Sequence, residues 1–549
     1  MEKIYIFGNE QSKDWCVGVG KLISVPSFSV NDFPFINDFV INNVRDIPAD
    51  GKIVLDLDSA NPSLILVMAM HIRLSITEIK EKALLPILLV SYMPLQSFLS
   101  LGECSQFFLS QSGYAFASPD NVLPALEAIR GISAEGYTEE FLNQIQIRPD
   151  AIEGRHSLAN EWGASVLDRL LNLGKPSSNS TLNTATKKLY FKFVYAQTIN
   201  IVDCFSNKQP QYYYSNISPI DAKEKRILLI DDEADKGWEY VLKRLVLTND
   251  GDFCVINHKA SCYDDLSKEE RNKIENGYYD LIFLDLRMNG TEEESIYRPN
   301  DFSGMKILKS IKSKQPGIQV IMFTASNKAW NLKALLDEGA DGYYIKESPE
   351  YKFSLGFSVA NFNALRDNIK DCLQRSYLRK VYAQLKDIKK DFNKTHGDTT
   401  NFKNSIIHQI ELSYNLLYSR HFEYAFITLY QVIELINDQY LDRDDNNVWY
   451  IIDTDEDAKS WTTQNFKHEC VESKFSDDDK RKFPEWKKMA VLYYQLWKQE
   501  DKSFGYKIQS LINERNKFMH NESDKKSIIH TESGYLQLFD VLRTICSFI

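Results

Sequence analysis

Asp231, Asp232, Asp285, Thr324 and Lys346 are the residue types a protein needs to accept, hold and report a phosphoryl group on a carboxylate. Three clustered carboxylates suit Mg²⁺, a hard cation that prefers oxygen ligands and keeps several waters. Such a metal offsets the repulsion between Asp285 and an incoming phosphoryl group. The Thr324 hydroxyl and the Lys346 ammonium are donors for the new phosphoryl oxygens. Each residue ends a short apolar run: Ile227 to Ile230 before the acidic pair, Leu281 to Leu284 before Asp285, Val320 to Phe323 before Thr324, and Tyr343 to Ile345 before Lys346. Runs of this kind predict buried strands of a parallel sheet. In open α/β sheets ligands bind outside the carboxyl ends of the strands, so four strand ends are expected to meet at one pocket. The plainer alternative is an α/β domain whose acidic strand ends bind a cation or nothing.

Taken in order, Ile227-Leu-Leu-Ile-Asp-Asp-Glu233, Leu281-Ile-Phe-Leu-Asp-Leu-Arg-Met288, Phe323-Thr-Ala-Ser326 and Gly342-Tyr-Tyr-Ile-Lys346 resemble the receiver domain of two-component response regulators. The resemblance spans roughly residues 223 to 350. It implies that Asp285 is the phosphoacceptor, that Asp231 and Asp232 with Asp285 hold Mg²⁺, and that Thr324 and Lys346 read the phosphate. Tyr343 stands where that family carries its switch aromatic. A sensor histidine kinase or phosphotransfer protein is the implied partner. Asn289 and Glu347 stand where the family usually has prolines, which removes the residue type that favours a cis peptide after Lys346. The loop from Asn289 to Gly304 carries three consecutive glutamates. Unless they point to solvent they repel a phosphodonor, so slow or partner-assisted phosphorylation is expected.

At 549 residues the chain is too long for one such domain. Its composition, 43% hydrophobic and 26% charged, is that of a globular protein, and a net charge of -11 argues against broad nucleic-acid or membrane binding. The eight cysteines form no CxxC pair, a pattern of free thiols in a reducing cytoplasm. The N-terminus lacks a signal layout, and the longest apolar stretch, near Leu84 to Met93, is too short to span a bilayer. A cytoplasmic location without membrane contact is therefore expected.

Residues 1–140 repeat the strand rhythm, with runs at Lys3 to Phe7, Lys52 to Leu57, Leu85 to Val90 and Gln106 to Leu109 and helices near Pro62 to Arg73 and Asn121 to Gly131. Gly8-Asn-Glu10 replaces the carboxylate pair. Asp56 or Asp58 and Ser91 fall at the acceptor and hydroxyl places, and no lysine follows the last run. This looks like a degenerate receiver with a packing or recognition role. Residues 141–220 read as a helical linker, two helices split by Gly174 to Ser180. His156 and Asn160, four apart, share a helix face. An ordinary helical histidine is the better reading than a phosphotransfer site, since no kinase ATP-binding signature accompanies it.

After the receiver segment, 221–350, the pattern turns helical, with a connector over 351–400 and an all-α region over 401–549. Its helices are expected at Asn401 to Leu441, Pro484 to Gln499, Ser503 to His520 and from Ile528 onward, around a polar, acidic stretch from Thr454 to Asp479. The aromatics Tyr414, Tyr418, Phe422, Tyr424, Phe426, Tyr430, Tyr493 and Tyr494 fall at helical spacing and read as core rather than as a base-stacking surface. In Leu511-Ile-Asn-Glu-Arg515-Asn516-Lys-Phe-Met-His520, Asn516 and His520 share a face that the long Arg515 can reach. This region resembles the HEPN superfamily. The resemblance implies a metal-independent ribonuclease site at Arg515, Asn516 and His520, built across a homodimer, with no cofactor of its own. His520 would be the general acid or base on a ribose 2′-hydroxyl and Arg515 would stabilise the phosphorane. Lys507, Lys517, Lys525 and Lys526 are available for an RNA backbone. The structural alternative is that Arg515 and His520 brace a helix end before Asn521.

The sequence thus predicts a multidomain chain: doubly wound receiver-like α/β domains with five-stranded parallel sheets, then an all-α bundle. One functional reading is a phosphorylation switch controlling a HEPN-like effector that cleaves RNA. The other is a non-catalytic signalling adaptor whose helical region binds a partner or nucleotide. A transcription factor ranks behind both, because no helix-turn-helix or other DNA-binding domain is evident.

Overall fold

The computed structural model describes residues 3–29, 32–101, 105, 107–109, 113–149, 155–172, 177–199, 201, 218–289, 296, 298–325, 329–394, 400–443, 449–452, 484–501, 503–520 and 527–549. The chain forms two compact units. One comprises residues 1–267, 281–310 and 320–373, the other 268–280, 311–319 and 374–549.

The first unit contains two five-stranded parallel sheets. Strands β1 (Ile4–Gly8), β2 (Lys21–Ser24), β3 (Lys52–Asp56), β4 (Ile87–Val90) and β5 (Tyr114–Ala117) form the first, in the order β2-β1-β3-β4-β5. Strands β6 (Ile227–Ile230), β7 (Phe253–Ile256), β8 (Leu281–Asp285), β9 (Gln319–Thr324) and β10 (Gly342–Ile345) form the second, in the equivalent order β7-β6-β8-β9-β10. Strands β4, β6, β8 and β9 are buried along their whole length, as expected where helices cover both faces of a parallel sheet. The first sheet departs from expectation at both edges. β2 went unpredicted because Lys-Leu-Ile-Ser is only half-buried and has no apolar run. The run at Gln106 to Leu109 is not the last strand: Phe107–Leu109 is a 3₁₀ turn with Phe108 in the core, and the strand is Tyr114–Ala117.

Helices α1 (Phe33–Val44), α2 (Pro62–Leu74) and α3 (Val122–Ala128) belong to the first sheet. Pro62 opens α2 with its φ preset for a helix, and the Asn61 carboxamide oxygen accepts from the Ser63 N–H as a cap. Three helices then follow, where two were predicted: α4 (Arg155–Leu171), α5 (Ser180–Lys187) and α6 (Leu189–Thr198). The second predicted helix is interrupted at Lys188, whose backbone is extended (φ -60°, ψ 137°). These helices are core elements. Leu158 and Trp162 of α4 pack in the hydrophobic cluster of the first sheet, while Ala164, Leu167 and Leu170 pack in that of the second.

After the second sheet's first strand come α7 (Trp238–Leu245), α8 (Lys268–Glu275), which falls in the second unit, α9 (Ser303–Lys314), α10 (Ala329–Asp337) and α11 (Leu355–Gln374). Trp238 is fully buried, edge-on to Phe323 with ring centroids 5.3 Å apart. Truncating it would cost about 3–5 kcal/mol.

In the second unit, α12 (Tyr377–Lys394) follows α11 after Arg375 and Ser376. The Arg379 guanidinium of α12 donates to Asp280 Oδ1 at 3.0 and 2.8 Å. Helices α13 (Thr400–Tyr418), α14 (Phe422–Tyr440), α15 (Glu485–Val491), α16 (Ser503–Met519) and α17 (Glu532–Cys546) contribute to one apolar core. α14 buries Ala425, Phe426, Leu429, Tyr430, Val432, Ile433 and Ile436, a broad face at helical spacing. Of the aromatics expected in the core, Tyr414, Phe426, Tyr430, Tyr493 and Tyr494 are buried and Tyr418 and Phe422 half-buried, whereas Tyr424 is exposed and departs from that expectation. The stretch from Thr454 to Asp479 lies outside the described residues. Among the described residues no single helix is long and apolar enough to cross a membrane.

Candidate functional site

The register of the second sheet brings the expected residues together. Leu284 pairs with Ile230, so the next step sets Asp285 beside Asp231. The Leu286 N–H donates to the Phe323 carbonyl at 2.9 Å, which puts Thr324 at the neighbouring strand end. Phe323 pairs with Tyr344, and the Lys346 N–H donates to the Thr324 carbonyl at 2.7 Å. Lys346 Nζ then lies 2.8 Å from Asp231 Oδ2 and 2.9 Å from Asp285 Oδ1. Asp231, Asp285, Thr324 and Lys346 are buried, and Asp232 is half-buried. Burial works against the charge on Lys346, but the two carboxylates outweigh it and hold the ammonium above the ordinary lysine range. Burial pushes the Asp231 carboxyl up, and Asp285 adds to that against the pull of Lys346.

Carboxylate oxygens of Asp231, Asp232 and Asp285 lie within 4.8 Å of one another. Three carboxylates against one ammonium leave two formal negative charges, the complement of a divalent cation. An all-oxygen donor set also suits a hard cation, so the residues present fit Mg²⁺. At Gly304 an added Cβ would come within 2.0 Å of the Asp285 carbonyl, so only glycine lets the chain return this close to β8. Tyr343 is half-buried, and its carbonyl accepts from Asn368 Nδ2 at 3.2 Å. No cis peptide occurs among the described residues. Ser326 and residues 290–295, with the three glutamates, lie outside them.

A further participant comes from outside the receiver segment. Asn160 of α4 is fully buried, and its Oδ1 accepts from Lys346 Nζ at 2.6 Å and from the Trp238 indole N–H at 2.9 Å. Its Nδ2 donates to Glu233 Oε2 at 2.7 Å. The one local sign was an amide embedded in the apolar sequence Leu158-Ala-Asn160-Glu-Trp162. His156 lies in the first turn of the same helix, and its side chain lies outside the described set.

The first sheet has the same frame with other residues in it. Leu55 pairs with Phe7, so Asp56 stands beside Gly8 as Asp285 stands beside Asp231. Asp56 pairs with Val90, which makes Ser91 the counterpart of Thr324. Val90 pairs with Ala117 as Phe323 pairs with Tyr344, so Pro119 occupies the place of Lys346. Asp56 is buried and accepts from Ser12 Oγ at 2.5 Å and from the Asp58 N–H at 3.0 Å. Burial raises its carboxyl above the usual range. Asp58 accepts from Ser91 Oγ at 2.6 Å and the Tyr92 N–H at 2.7 Å.

In the helical unit, Arg515 and Asn516 lie in the last turn and a half of α16, and His520 follows its end, exposed. The Arg515 guanidinium sits 4.7 Å above the Tyr430 ring and 3.7 Å from Glu434 Oε1, both on α14, and Nη1 donates to Asn516 Oδ1 at 3.1 Å. Asn516 meets His520 through the backbone, the His520 N–H donating to the Asn516 carbonyl. Arg515 is thus turned to α14. Lys525 and Lys526 lie outside the described residues.

No curated protein matches this sequence. Among solved structures, a protein provisionally described as a two-component system response regulator/GGDEF domain protein is similar at 10% identity and a TM-score of 0.18, over 68% of this chain and all of that one. The family model described as the response regulator receiver domain matches residues 227–353, and nothing in these matches corresponds to HEPN. Residues 227–353 are thus the segment that matches the response regulator receiver domain.

Proposed function

We propose that the chain is a two-component signalling protein in which phosphorylation of Asp285 controls the output of the C-terminal helices. The Lys346 ammonium bridging Asp231 and Asp285 at the strand ends carries this reading. A histidine kinase or phosphotransfer protein, the partner that a receiver domain implies, presents a phosphohistidine. An Asp285 oxygen forms the O–P bond as the N–P bond breaks, and the ring nitrogen keeps the electron pair. Mg²⁺ held by Asp231, Asp232 and Asp285 supplies charge neutralisation when bound. Lys346 and Thr324 orient the transferred group by donating to its oxygens. Tyr343, half-buried on β10, is the aromatic that reports the change, which biases a bistable element. The reading places the protein in the cytoplasm. The test is incubation of the full chain with a small phosphodonor. An adduct that requires Mg²⁺ and maps to Asp285 supports the assignment, and an adduct elsewhere refutes it.

The output divides into two forms. As an adaptor, the helical unit binds a partner or nucleotide, and the engagement of Arg515 by Tyr430 and Glu434 favours this form. As a HEPN-like homodimer, it cleaves RNA without metal through Arg515, Asn516 and His520; their location at one helix end, with His520 exposed, supports this second form. Purified protein and generic RNA without divalent metal, with and without prior phosphorylation, separate the two. Cleavage abolished by His520→Ala establishes the nuclease; no cleavage, or cleavage that survives the substitution, leaves the adaptor.

A further inference from the structure

We propose that Asn160 is a positioning residue of the phosphoryl site, holding Lys346 in its unphosphorylated place and so tying α4 to the state of Asp285. The inference rests on Asp285 being the phosphoacceptor. An ammonium has three N–H donors. All three of Lys346 face acceptors: Asp231 at 2.8 Å, Asp285 at 2.9 Å and Asn160 at 2.6 Å. A phosphoryl group on Asp285 places its oxygens beyond the carboxylate, and an ammonium that follows them withdraws from the strand end. Asn160 cannot follow with α4 in place. Its amide is fixed at both ends by the Trp238 indole and Glu233. Three residues on, an added Cβ at Gly163 would come within 3.0 Å of the Trp238 ring and 3.4 Å of the Glu347 backbone, so this part of the helix lies directly on the receiver. Of the three acceptors, the amide is the one given up, because it alone carries no charge, whereas the Asp231 carboxylate and the phosphoryl oxygens on Asp285 are ionised and form ion pairs with the ammonium. A contact present only in the unphosphorylated form opposes phosphorylation by its own free energy, and phosphorylation weakens the seating of α4 by the same amount.

The test uses the full chain, Mg²⁺ and acetyl phosphate, with the adduct followed by intact mass and α4 by amide hydrogen exchange. Asn160→Ala is expected to raise the ratio of phosphorylated to unphosphorylated protein at equilibrium by about tenfold. Asn160→Asp keeps an acceptor on Lys346 and adds charge, and is expected to lower it. A role confined to packing would move both variants in the same direction, and that result overturns the proposal. In wild type, residues 157–164 are expected to exchange faster once Asp285 is modified, a readout that needs no variant. Unchanged exchange with the adduct verified overturns the inference alone. Absence of an adduct in every protein overturns the acceptor assignment and the inference with it.

Discussion

At the end of its central strand each sheet carries a buried aspartate, Asp56 in the first and Asp285 in the second, in the same strand order and register. Their partners differ. Asp285 faces an ammonium and two further carboxylates. Asp56 faces a serine hydroxyl and a backbone N–H, beside a glycine where the other sheet has Asp231 and a proline where it has Lys346. Neutral donors satisfy a carboxylate without supplying the charge that a metal and a phosphoryl group must be balanced against. The fold supports both arrangements, so the function lies in the strand-end residues rather than in the sheet.

The comparison breaks most directly at the two aspartates. Asp285→Asn should abolish the Mg²⁺-dependent phosphoryl adduct measured by intact mass, and Asp56→Asn should leave it at the wild-type level; an adduct lost in Asp56→Asn would mean the first sheet also takes part. A smaller effect concerns the residues after Lys346 and Pro119. Burial pushes the Glu347 carboxyl up to about 7 from 4.5, although Ser358 Oγ donates to it at 2.7 Å. Its counterpart Asp120 is exposed. The folded chain therefore favours protonated Glu347: the cost of ionising it is absent below pH 4.5, grows as pH rises and is complete above about 7. Glu347→Gln should stabilise the chain at pH 8 by at most about 3 kcal/mol and have no effect at pH 4. Chemical denaturation at the two pH values measures this. Smallest is the attempt to restore the missing acid in the first sheet. A Cβ at Gly8 would come within 2.2 Å of Ser12 Oγ, the hydroxyl bonded to Asp56. Gly8→Asp should lower stability by about 1–3 kcal/mol and create no Mg²⁺ site by titration calorimetry.

The strand-end residues of the second sheet were legible because each is announced locally by an apolar run that stops at a polar side chain. The first sheet was legible only in its interior. β2 lacks such a run, and Phe107-Phe108 imitates one while forming a core turn. Asn160 and Lys346 are 186 residues apart, a separation at which no local pattern operates. Arg515 shows the converse. Its spacing to His520 is local and readable, yet Tyr430 and Glu434, on a helix some eighty residues earlier, decide where the guanidinium points.

α4 contributes Leu158 and Trp162 to one core and Ala164, Leu167 and Leu170 to the other within seventeen residues. Excision at residues 227–353 would strip Leu167, Leu170 and Leu182 from the hydrophobic cluster around Trp238 and remove the amide bonded to Lys346. Receivers are often treated as interchangeable cassettes. This one is not: a graft would have to carry α4, α5 and α11 with it, and a transplant of the matching segment alone is expected to expose apolar surface on α7 and aggregate.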